Sequence, residues 1–168
     1  MDADHEKFMA IAIEEARRGQ EEGEQPFGAV VVRDGEVISR THSLKVSTSN
    51  ATDHAETLAV GKATQAMKSP LLTGCTFYAT CEPCPMCCGA ILNTGVSTLV
   101  IGVRHATLRK MSSEKFSQGK YKGGTFNFKN YTAEALAEMV GSGLQVISGV
   151  LGEECEALYR STRVEITR

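Results

Sequence analysis

Five of the six cysteines in this 168-residue chain, Cys75, Cys81, Cys84, Cys87 and Cys88, crowd into fourteen positions, and only Cys155 lies elsewhere. Such crowding has three chemical readings. Disulfides are disfavoured, because so short a span offers few workable bridge geometries. The opening Met1-Asp2-Ala3-Asp4-His5-Glu6 is also acidic where a secretory signal would be basic and then apolar. The thiols are therefore expected to stay reduced, in the cytoplasm. A redox Cys-x-x-Cys is the second reading, since a thiolate at a helix start has a lowered pKa. Metal binding is the third: Cys81-x2-Cys84-x2-Cys87 followed by Cys88 allows several ligand sets, so something outside the cluster must choose among them.

Asp53-His54-Ala55-Glu56 supplies a candidate. Like Pro83-Cys84-Pro85-Met86-Cys87, it stands at the start of an expected helix. Cys84 and Cys87 are one helical turn apart, so both sulfurs can take one side and fill two corners of a tetrahedron, with His54 as the third. The open fourth corner suits water, which separates a catalytic zinc from a closed structural one. Two thiolates and a neutral imidazole formally cancel the zinc charge, so the water is acidified less than in a three-histidine site and needs a base nearby. Glu56 is placed to take and return that proton.

Blander readings stand beside these. Asp53-x-x-Glu56 is also a capping-box spacing. A four-cysteine site that includes Cys81 would be a structural zinc in a binding module, although it leaves His54-x-Glu56 unexplained. Cys75, Cys88 and Cys155 read most simply as small buried residues, and His42 and His105 as solvated or loop histidines.

The elements that must position these groups follow from periodicity. Phe8, Ile11, Ala12 and Ala16 form the apolar stripe of a helix from Asp4 to Arg18, stopped by Gly19. Phe27 to Arg33 and Glu36 to Arg40 are strands joined at Asp34-Gly35. A polar segment, Ser43 to Thr52, leads to Asp53 as N-cap of a helix from His54 to about Met67. Cys75 to Thr80, Ser97 to Val103 and Leu144 to Val150 read as strands. Helices are expected over Met86 to Thr94, from a Thr132 cap to Val140, and over Gly152 to Arg163. Alternation after the hairpin implies a single α/β domain over 1–168. Its expected form is a three-layer α/β/α sandwich with a central mixed five-stranded sheet, the last three strands parallel.

The interval 104–131 lacks a convincing period and is too long for an ordinary connection, so it reads as a basic insert or loop. It carries seven basic residues, Lys120 and Lys122 among them, against Glu114 alone. That is a surplus of six positive charges, so with a net charge of -2 the remainder carries -8. Aromatic residues interleave with this charge, as on a nucleic-acid surface or a phosphate-binding lid; the bland alternative is a solvated insert. No stretch is apolar enough to span a membrane.

The pairing of His-x-Glu with a distant Pro-Cys-x-x-Cys is a signature of zinc nucleobase deaminases. Together with Pro26-Phe27-Gly28-Ala29-Val30 and Gly89-Ala90-Ile91, the chain resembles the cytidine deaminase-like superfamily. The cysteine segment is similar to bacterial guanine deaminases, and Val150 to Cys155 to tRNA adenosine deaminases. The resemblance implies Zn2+ on His54, Cys84 and Cys87, Glu56 as proton shuttle, Phe27 on the face of the base, the Ala55 amide on its polar edge, and a homodimer. Eleven positions before the histidine, where the family usually has a base-binding Asn, stands Ser43. Its hydroxyl cannot reproduce a carboxamide's reach. The expected activity is hydrolytic deamination of a nucleobase or related aminoheterocycle, guanine- or cytosine-like, as a small molecule. The alternative is adenosine in tRNA, with nucleic acid the less favoured partner.

Overall fold

The computed structural model describes residues 3–117 and 130–161. Asp34 and Gly35, with φ of 50° and 79°, make the left-handed two-residue turn that a tight hairpin needs. They join β1 (Gly28–Arg33) to β2 (Glu36–His42), with Gly28 opposite His42. β1 also pairs antiparallel with β3 (Thr76–Cys81), while β3, β4 (Thr98–Val103) and β5 (Gln145–Ser148) run parallel. The order β2-β1-β3-β4-β5 is the mixed five-stranded sheet expected from sequence.

The sheet's central strands are apolar on both faces because helices cover both. Val30, Val32, Tyr78 and Val100 face α1 (Ala3–Glu21), α5 (His105–Ser117) and α7 (Gly152–Ser161). Ala29, Val31, Phe77, Ala79, Leu99 and Ile101 face α3 (Ala55–Met67), α4 (Pro85–Asn93) and α6 (Ala133–Met139). A short helix, α2 (Lys45–Thr48), precedes α3. α1 lies so close that a Cβ on Gly28 would run into the Ala12 carbonyl oxygen and come within 2.8 Å of the Ala16 nitrogen. No helix among the described residues is long and apolar enough to cross a membrane.

Four local expectations are corrected. Gly19 does not stop α1, which continues to Glu21; instead the His42 side chain packs where a Cβ of Gly19 would sit, 3.0 Å away. Asp53 is not the cap of α3: that position is His54, and the Asp53 carboxylate takes the Asn50 amide at 2.8 Å. The polar segment contains α2, whose amides of Val46 and Ser47 donate to buried Glu24. Within the basic interval, 105–117 is helical; Leu108 and Met111 are buried one turn apart, too narrow a stripe to show as a period. The remainder of that interval, 118–129, including Lys120 and Lys122, lies outside the described residues, as does the expected end of the last helix at Arg163.

Candidate active site

β1 is antiparallel to β3, so its start, the end of β2 and the ends of β3 and β4 share one edge of the sheet. Phe27, Ser43, the loop 82–84 and Arg104 are thereby brought to that edge, where ligand crevices form in open α/β sheets. α3 is hung there by two hydroxyls of β2: Thr41 donates to the Ala55 carbonyl at 2.7 Å and Ser39 to that of Ala59 at 2.9 Å. His54, as N-cap of α3, meets Cys84, the N-cap of α4, whose first residue Pro85 needs no amide hydrogen.

The His54 Nδ1, Cys84 Sγ and Cys87 Sγ atoms form one group. The sulfurs are 3.5 Å apart, and Nδ1 lies 3.8 Å from Cys84 Sγ and 3.4 Å from Cys87 Sγ. Tetrahedral zinc, with bonds of about 2.3 Å to sulfur and about 2.0 Å to nitrogen, sets edges of roughly 3.5–3.8 Å. The donor set fits zinc in type and spacing. Cys84 is held down to about 4 by its hydrogen bond with Cys87 and, against the cost of burial, by His54. His54 is pushed up, chiefly by its bond to Cys84. Cys87 is pushed up by the same sulfur contact and by burial.

Glu56 is buried beside this group. Burial first, and then the Cys84 charge, pushes its carboxyl up to about 7. Cys81, open in sequence, turns away: its thiol donates to the Glu82 carbonyl at 3.4 Å and packs in the α1-side core. Cys75, Cys88 and Cys155 are fully buried, and all six cysteines are free. Phe27 stands partly buried at the mouth, its ring 5.4 Å from that of Tyr159. Ala55 is buried at the first turn of α3. Ser43 is buried as well, donating to the Asp53 carbonyl at 3.4 Å and accepting from the Lys45 amide at 3.3 Å.

His42 and His105 are not solvated. His42 is buried, with Nδ1 3.3 Å from Glu15 and Nε2 3.1 Å from Glu22. His105 is buried at the start of α5, its ring 5.8 Å from that of Tyr131. Two residues escaped the sequence reading. Lys45 is close enough to the site to act electrostatically on His54 and Cys84, and burial lowers its own pKa; nothing in its polar surroundings marks it. Glu82 is 2% exposed. It had a signal: it is the one charged residue between Lys68 and Arg104, and a lone ionisable group in an apolar run must be buried with partners.

A doubly covered mixed sheet with His-x-Glu and Cys-x-x-Cys gathered at one edge defines a hydrolytic deaminase. Residues 2–103 match the cytidine and deoxycytidylate deaminase zinc-binding region. The chain belongs to that family, and is a hydrolase of carbon–nitrogen bonds. It is 36% identical over 163 residues to a tRNA-specific adenosine deaminase of Bacillus subtilis, covering 94% of this chain and 90% of that one. Among solved structures, a tRNA:A34 deaminase studied for A-to-I editing superposes with a TM-score of 0.71 at 29% identity, over 90% of this chain and 98% of the other. A guanine deaminase from Nitrosomonas europaea gives 0.75 at 25% identity, over 92% and 82%.

Proposed function

We propose that the chain deaminates a nucleobase amino group, and that adenosine in tRNA is the substrate with most support. The observation carrying deamination is the buried Glu56, raised to about 7, against the triad of His54, Cys84 and Cys87. Zinc held there supplies a Lewis acid that lowers the pKa of water. Glu56 takes one proton from water and delivers it to the ring nitrogen, then carries water's second proton to the departing amine, so the amino-bearing carbon gains oxygen as ammonia leaves. Phe27 lies on the face of the base and the Ala55 amide meets its polar edge. The Ser43 hydroxyl, with one donor and one acceptor position used internally, offers one remaining acceptor.

The tRNA reading, the alternative in the sequence analysis, gains from a likeness to the Bacillus subtilis enzyme that runs nearly end to end. The free-base reading, guanine- or cytosine-like, is favoured by the guanine deaminase superposition and by the acidic balance outside 104–131. Ammonia release from free bases and nucleosides, beside inosine formation in a tRNA anticodon stem-loop, separates them. Inosine without release from free bases supports RNA; the converse supports the free base.

A homodimer in the cytoplasm is part of the same proposal, as is one domain over 1–168. The dimer is supported by α4, which has no charged residue and leaves Met86 exposed. Light scattering at micromolar concentration is expected to give twice the 18.1 kDa chain mass.

A further inference from the structure

Glu82 is a buried carboxylate that the chemistry just described leaves unused, and it lies two residues before Cys84. Its surroundings consist of donors. Oε1 accepts from Arg104 Nη1 at 3.0 Å and from the Ala133 amide at 3.0 Å, and Oε2 accepts from the His105 amide at 3.0 Å. His105 and Ala133 open α5 and α6, so one carboxylate caps the first amides of two helices from outside both. Arg104 is held in turn by a bidentate pair with Glu134, at 2.8 and 2.6 Å. The Glu82 backbone is also fixed, its amide donating to the Val103 carbonyl at 2.8 Å. One residue on, the Pro83 carbonyl accepts from Tyr131 Oη at 2.7 Å.

This clamp lies immediately before Cys84. Cys87 and Cys88 belong to α4 and are positioned by its helical turn, but Cys84 is the N-cap, and no side chain caps the helix there. Its carbonyl takes the Cys88 amide at 2.8 Å, while the path of its backbone into the helix, and with it the placing of the sulfur, comes from the loop 82–84. We infer that Glu82 is a positioning residue for the deaminase reaction, fixing the Cys84 thiolate for the metal by bracing the loop 82–84 against the starts of α5 and α6. Three converging donors call for an acceptor-only group. Glutamine there would turn its NH2 on a donor and lose a bond. Aspartate is one methylene short. A carboxylate outside the ligand set that orients a ligand is a recurring device of metal sites, and removing one weakens metal binding about 10–100-fold.

The inference rests on the zinc reading of the site, and the test keeps the two apart. Cobalt(II) is loaded into wild type, Glu82→Gln, Arg104→Met and Cys84→Ser, and thiolate-to-cobalt charge-transfer absorption is followed with the rate of metal loss to a chelator. Phe8→Leu, in the core under α1, supplies a control of lowered melting temperature away from the loop. Glu82→Gln is expected to release metal at least about tenfold faster than wild type and than the control. Its charge-transfer band weakens, and its kcat falls with little change in KM. Arg104→Met, which spares both amide bonds, is expected to fall between; it also serves where Glu82→Gln does not fold. Release from both variants no faster than from Phe8→Leu, with an unchanged band, overturns the inference and leaves Glu82 a fold residue only. Wild type that shows no thiolate band, or a Cys84→Ser variant that keeps the wild-type band, overturns the zinc reading itself.

Discussion

Four glutamates are buried among the described residues, and their partners decide which does chemistry. Glu15 meets Arg40 and His42, and Glu82 meets three donors. Glu24 takes the amides of Val46 and Ser47; burial opposes its ionisation, but hydrogen bonds from Ser47 and Val46 prevail and hold it below its usual value. Glu56, opposite to Glu24, is raised, to about 7, by burial and the neighbouring Cys84 charge. A carboxyl poised there can both take and give a proton near neutrality. Glu56→Gln is therefore expected to keep one zinc per chain and to lose about 10²–10⁴-fold in ammonia release. Metal analysis beside a coupled ammonia assay checks it; a variant retaining a tenth of the activity contradicts the assignment. The triad and Glu56 were legible in sequence because ligand chemistry fixes residue type and spacing together. Lys45 was not, because a lone lysine on a polar segment has the same pattern whether it faces solvent or a site.

At the scale of elements, the strongly patterned pieces were legible: the hairpin at Asp34-Gly35, the apolar strands and both motif-bearing helices all stand where periodicity puts them. The misses share a cause, contacts made by another segment. Gly19 reads as a stop but accommodates His42, and α5 reads as loop because, among its residues whose side chains are described, the buried apolar ones are just Leu108 and Met111, beneath the sheet. Gly28 shows the same kind of constraint where it bears on the site, beside Phe27. Alanine there must displace the α1 backbone, so Gly28→Ala is expected to cost about 3 kcal/mol, the upper end for overpacking, measurable by urea unfolding. The dock of α6 carries a pH dependence. Hydrogen bonds from Arg104 outweigh the effect of burial and hold Glu134 below its usual 4.5. The pair's contribution is then complete above about pH 4.5 and lost as pH falls through the lowered value. Glu134→Gln is expected to melt below wild type by a constant margin from pH 5 to 7, a margin that closes towards pH 3. A margin independent of pH in differential scanning fluorimetry sinks this account.

Over the whole molecule, charge is what could let one fold separate an RNA from a free base. The net charge of -2 divides into +6 over 104–131 and -8 elsewhere. The basic interval starts at the site: Arg104 follows β4, and Arg109 on α5 acts electrostatically on His105. An RNA whose base entered at this edge would meet Arg104 and Arg109, whereas a free base, with no phosphate, would be indifferent to them. The two substrates thus differ in salt dependence before any turnover is measured. For single strands, log K falls with log salt by about 0.7 for each phosphate neutralised. If tRNA is the substrate, changing Lys120 and Lys122 to Gln is expected to make the slope shallower by about 1.4 and to weaken binding between 50 and 200 mM salt. Release of ammonia from nucleosides should be untouched in that variant. Filter binding of an anticodon stem-loop across the salt series reads the slope directly. An unchanged slope takes Lys120 and Lys122 off the phosphate contacts, and no binding at the lowest salt removes the RNA and favours a free base as the substrate.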